Sequence, residues 1–236
     1  KRSFLGKSTD FVGRGREMSR LTNFLSSVVT ESAAAAVLVT GAAGIGKSRL
    51  RQEFIEWVQR QPRRIEVLFG AGDSLAAGSP FGMLGRAIRR SAGIHESESL
   101  EARRRKLAER VNRHVPREAQ QRVTAFVGEI AGVPFPDDAS DALRAARQSP
   151  QLMSDGMRRA WEDWLAAECA SGPVLILLAD LHWGDLGTVS LNDAALLTLR
   201  VWPLMLLAGA RPGVPSAFPN LVMPPQLHSR QRDPLP

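Results

Sequence analysis

The run Gly41-Ala42-Ala43-Gly44-Ile45-Gly46-Lys47-Ser48 constrains this chain more than any other segment. Glycines at that spacing let a backbone curl tightly with no Cβ in the way, and the curl ends on a cation and a hydroxyl. Before it, Ala35-Ala36-Val37-Leu38-Val39-Thr40 is short and apolar, the pattern of a strand buried on both faces of a parallel sheet. After it, Leu50, Phe54, Trp57 and Val58 fall on one stripe until Pro62, which predicts a helix over about residues 47–60. Strand, glycine loop and helix form the first half of a βαβ unit. The bare N–H groups of the loop and the positive end of the helix then converge on one anion site.

The fixed positions match G-x-x-x-x-G-K-[ST], the pattern of a loop that holds nucleotide phosphates. The expected ligand is ATP. Gly41, Ala42, Gly44, Ile45, Gly46, Lys47, Ser48 and Arg49 form its cradle. Lys47 would reach the β and γ phosphates, and the Ser48 hydroxyl would ligate Mg²⁺.

The rest of the chain alternates strands with helices, which implies an α/β three-layer fold with a mostly parallel sheet. Residues 16–29 read as an amphipathic helix and residues 65–69 as a second strand closed by Gly70 and Gly72. Ser79-Pro80 opens another helix with Phe81, Leu84 and Ile88 on its apolar side. Residues 97–127 read as helical and basic, then Pro134 and Pro136 introduce a loop that runs towards Pro150. Asp155 can cap a helix carrying Met157, Trp161, Trp164, Leu165 and either Cys169 or Glu168, which ends at Gly172-Pro173. Residues 174–179 form the most strand-like segment, residues 191–199 a helix and residues 203–208 a fourth strand.

An acid is needed near the metal at the end of a neighbouring buried strand, and Asp180 stands at the carboxyl end of residues 174–179. It would hold Mg²⁺, directly or through water, or orient the water that attacks the γ phosphate. Arg211 follows the fourth strand and is the expected γ-phosphate sensor, since ligands of parallel sheets lie where strands end. His182 and Trp183 read as packing and loop-shaping residues, because no second metal ligand lies at a suitable spacing.

A net charge of +7 is compatible with polyphosphate or nucleic-acid partners, and much of the excess lies in arginines between Arg86 and Arg122. The longest apolar runs fall far below the roughly 20 residues of a membrane-spanning helix. With one cysteine, Cys169, and no signal peptide, the expected location is the cytoplasm. The expected organisation is a leader over residues 1–10, a nucleotide-binding domain over residues 11–213 and an irregular proline-rich tail over residues 214–236. The start at Lys1 suggests a piece of a longer polypeptide.

Phe11-Val12-Gly13-Arg14 with Glu17 and Leu21, then residues 41–48, then Ala179-Asp180-Leu181-His182-Trp183-Gly184-Asp185, then Ala210-Arg211-Pro212, resemble the signal-transduction ATPases with numerous domains. These are relatives of AAA+ and origin-recognition-type P-loop ATPases, and the resemblance covers roughly residues 11–213. It implies a nucleotide-dependent switch fused to kinase, cyclase or transcription-regulator domains or to helical repeats, with nucleotide-dependent oligomers among its partners. It also implies that the Val12-Gly13-Arg14 region contacts the adenine side and that residues 180–185 are the Walker B element with its His-Trp pair. Two departures stand out. The family usually carries Glu or Asp where this chain has Ala179, and it continues past the arginine into a last strand and a helical lid. The chain is therefore expected to lack both. Two other readings were compatible with the residues: a DNA-associated ATPase using arginines near residues 103–106, and a nucleotide-binding scaffold that does not hydrolyse.

Overall fold

The computed structural model describes residues 3–4, 7–8, 13–74 and 78–212. Two short strands, β1 (Ser3–Phe4) and β2 (Lys7–Ser8), pair antiparallel ahead of helix α1 (Gly15–Glu31). The core sheet has four parallel strands: β3 (Ala35–Thr40), β4 (Glu66–Ala71), β5 (Val174–Ala179) and β6 (Leu204–Ala210). Their order across the sheet is β3-β6-β5-β4.

Strand alternation divides the core in two. Val174, Ile176 and Leu178 of β5, with Leu204, Leu206 and Ala208 of β6, enter the larger cluster. Leu175, Leu177 and Ala179, with Met205 and Leu207, enter the smaller one. The smaller cluster is covered by α1, through Leu21, Leu25 and Val28, and by α2 (Lys47–Gln59), through Leu50, Phe54 and Val58. The larger is covered by α3 (Gly82–Ser91), α4 (Leu100–Val111), α5 (Arg117–Ala131), α6 (Asp141–Ala146), α7 (Pro150–Ser171) and α8 (Leu186–Thr198). This is the expected three-layer α/β architecture. Trp161 and Trp164 are fully buried on α7, their rings 5.5 Å apart in an edge-to-face pair.

The sheet register places the site. Thr40 lies opposite Ala210, Ala179 opposite Ala71 and Leu178 opposite Ala208, so the four strands end within one residue of one another. The residues that follow them, Gly41, Arg211, Asp180 and Gly72, therefore share one rim. The chain leaves β3 through α2 on one face and β5 through α8 on the other. The two loops diverge and leave a crevice between them, the place where open parallel sheets bind ligands.

Four local expectations change. Gly70 lies inside β4 rather than ending it, because a Cβ there would come 2.3 Å from the Met83 carbonyl of α3. The expected loop up to Pro150 contains a 3-10 turn (Asp137–Ala139) and α6, which buries Leu143 and Ala146. Helix α7 starts before Asp155, with Ser149 accepting a hydrogen bond from the Leu152 amide and Pro150 in the first turn. Helix α8 starts at Leu186, earlier than expected, because Asp185 caps it. Among the described residues β3 pairs on one side only, with β6. The expected tail over residues 214–236 lies outside the described residues.

Candidate phosphate-binding site

Gly44 and Gly46 have φ of 79° and 95°, the left-handed conformations that make the loop curl. Three consecutive amides, those of Gly44, Ile45 and Gly46, find no hydrogen-bond partner among the described residues. Alternating backbone of this kind presents successive N–H groups to one concavity, a nest for an anion. Gly41 at the loop entrance is tied to the sheet by its amide, which donates to the Ala210 carbonyl. Gly46 caps α2 at the other end, and its carbonyl accepts from the Arg49 and Leu50 amides.

Lys47 turns back over the loop. Its Nζ donates to the carbonyls of Gly41 and Ala42 at 2.6 and 2.8 Å. Burial holds the ammonium below its ordinary pKa; the Asp180 charge opposes that shift and the Arg211 charge adds to it. An ammonium held by two loop carbonyls can move to a stronger anionic acceptor, since charge-assisted bonds are the stronger kind.

Lys47, Ser48, Ala179 and Asp180 line one cleft with Leu21, Val39 and Leu50. Asp180 is a non-glycine residue in the left-handed region, φ 55° and ψ 45°, at the turn where β5 ends. Gly72 makes that turn fit: its amide donates to the Ala179 carbonyl, and a Cβ on it would come 2.4 Å from the Asp180 carbonyl. The Arg211 guanidinium lies 5.9 Å from the centre of the Trp183 ring. Beside it, burial lowers the pKa of His182; the Arg211 and Lys47 charges add to the shift and Asp180 opposes it.

Lys47, Ser48 and Asp180 thus share one cleft, and the Arg211 charge acts on Lys47 from the end of β6. Arg49 points elsewhere, pairing with Glu53 at 2.6 Å. Gly13 has φ 84°, and Val12 lies outside the described residues. Asp185 is a structural residue: its carboxylate accepts from the Thr188 amide and hydroxyl and from the Phe81 amide. Two contributions went unread in the sequence. Gly72 matters only through the turn it packs on, and the contact of Arg14 with the loop crosses 31 positions.

A triphosphate suits the three open amides together with Lys47. For Mg²⁺ the residues of this cleft that could serve as donors are Ser48, through its hydroxyl, and Asp180, through its carboxylate. That set is thin but sufficient for a hard cation that keeps several waters and takes one or two carboxylates besides phosphate oxygens. Among the described residues no group of three or more His, Cys, Asp or Glu could hold a metal, and no helix is long and apolar enough to cross a membrane.

The sequence matches the AAA ATPase domain family over residues 10–207, most of its length, and the chain belongs to that family. No curated protein matches it.

Proposed function

We propose that this AAA ATPase domain is the nucleotide-gated regulatory module of a larger signalling polypeptide. It binds Mg-ATP, hydrolyses it slowly, and passes its nucleotide state to attached effector or sensor domains, such as a kinase, a cyclase, a regulator or helical repeats. The observation that carries this reading is the run of amides at Gly44, Ile45 and Gly46 that have no partner among the described residues, closed by a lysine whose ammonium donates to two loop carbonyls. Such a loop has donors and positive charge to offer and an anion to gain.

Bound Mg²⁺ supplies Lewis-acid charge neutralisation at the phosphates. The chain does the rest. The cradle and Lys47 bind, Ser48 and Asp180 hold the cation, and Asp180 also stands where it can orient water. Ala179 supports the slow turnover: it is buried at the end of β5 on the α1/α2 side, where a second acid would face the cleft. Closure of the loops around a γ phosphate, sensed by Arg211, is the switch. Nucleotide-dependent self-association and a cytoplasmic location belong to the same reading.

Calorimetric titration tests it. Wild-type chain binds ATP in the presence of Mg²⁺, and Lys47→Ala loses about 10³-fold in affinity, enough to abolish the heat signal at ordinary concentrations; an unchanged affinity in that variant refutes the reading. Two of the four basic residues on which the DNA-associated alternative relies, over residues 103–106, are engaged within the fold. Arg104 donates to the Pro134 carbonyl and packs over Phe135, while Lys106 pairs with Glu98.

A further inference from the structure

The phosphate loop is held from outside by one side chain that the nucleotide reading does not use. Arg14, the residue before α1, sends one nitrogen to Glu17 Oε1 and the other to the Ile45 carbonyl, both at 2.8 Å. Neither side chain is free to wander: Arg14 and Glu17 are 18% and 19% exposed. The Arg14 hydrogen bond holds the Glu17 carboxyl below its ordinary pKa.

Ile45 lies between the two left-handed glycines of the curl. Its carbonyl and the Gly46 N–H belong to one planar peptide unit, and in a trans peptide the two bonds point in opposite directions. No peptide bond in the described residues is cis. Whatever fixes the Ile45 oxygen outward therefore fixes the Gly46 hydrogen inward. The unit hinges on ψ of Ile45 and φ of Gly46, and the glycine on its carboxyl side leaves one of those two torsions soft, so the loop by itself would sample other orientations.

We propose that Arg14 is a positioning residue of the phosphate cradle, gripping the Ile45 carbonyl so that the Gly46 N–H stays aimed at the bound phosphates. Glu17 keeps the guanidinium in place. The inference rests on the reading that the loop binds nucleotide phosphates. It further implies that Arg14 and the loop move as one unit, since the grip joins the start of α1 to the centre of the curl.

The test uses the whole chain, with a fluorescent ADP analogue and inorganic pyrophosphate as its competitor. Pyrophosphate engages the cradle and nothing else. Arg14→Gln weakens both ligands by the same factor, about 10-fold, the scale of one charge-assisted hydrogen bond. Arg14→Lys, which keeps one donor, recovers part of that loss, and Glu17→Gln weakens both ligands less than Arg14→Gln does. Weakening of the ADP analogue alone would place Arg14 on the adenine side and overturn the proposal. Tighter binding in Glu17→Gln would show that Arg14 works better when released, and would overturn it too. So would wild-type affinity in both Arg14 variants. If Arg14→Gln does not fold, by circular dichroism, Arg14→Lys decides. Absence of ADP binding by the wild type instead refutes the nucleotide reading itself.

Discussion

The two ends of the same parallel strands treat charge in opposite ways. At the amino end, Arg110 is buried to 2% side-chain exposure, and both its terminal nitrogens are occupied. It meets Glu168 at 2.6 and 3.0 Å and Glu66 at 2.8 Å, with the Trp164 ring 5.2 Å away and the indole N–H also on Glu168. Burial alone would lower the Arg110 pKa, but the hydrogen bonds and charges of Glu168 and Glu66 raise it overall. At the carboxyl end, Lys47 rests on neutral carbonyls, both ring nitrogens of His182 are enclosed without a partner, and three loop amides are open. A charge satisfied from within holds the fold; donors left open are available to a ligand.

Breaking the open end should leave the fold standing. Lys47→Ala lowers ATP affinity by about 10³-fold, roughly 4 kcal/mol, with the melting temperature of the free chain almost unchanged. A collapse of stability in that variant would mean the lysine is structural after all. Glu168→Ala should do the reverse. It strands a buried guanidinium and costs about 3 kcal/mol of stability or more, read from urea denaturation. Protein that remains folded binds ATP as before; a selective loss of ATP affinity would show the two ends to be coupled.

Ala179→Glu sharpens the contrast by adding an acid to the open end. Turnover, followed as phosphate release at saturating Mg-ATP, rises roughly 10-fold if the missing carboxylate limits it. Turnover that stays at baseline with ATP bound would locate the limit elsewhere. The smallest effect concerns Cys169. Burial and then the Glu168 charge push its thiol up to about 12, so at pH 8 it is protonated. It should resist a thiol reagent in the native chain and react once the chain is unfolded. Because its folded pKa is raised, any stability it lends persists below the usual thiol range and is lost only as pH climbs towards 12. Rapid labelling of native protein at pH 8 would contradict this.

Most of the open end was legible in the sequence. Residues 41–48 depend on local conformation, and a local requirement for bare, curled backbone leaves its mark as glycines at fixed spacing. The strands around Val37 and Ile176 were equally plain, since burial on both faces demands unbroken apolar runs. The closed end was not legible. Arg110 looked like one more arginine of a basic helical stretch, and its partners lie 44 and 58 positions away. The segment before Pro150 misled for a related reason: its prolines flank a short helix and do not abolish it.

By itself the sequence determined the phosphate curl, the strand before it, the helix after it and the acid at the end of β5, because each follows from short-range sterics and periodicity. Only the tertiary structure decided which charges are satisfied and which are left for a ligand. Strand register brings Gly41, Arg211, Asp180 and Gly72 to one rim, α7 packs Glu168 against Arg110, and α1 returns Arg14 to the loop. Those pairings join residues far apart in the chain, and their free energy depends on the burial that the whole fold creates.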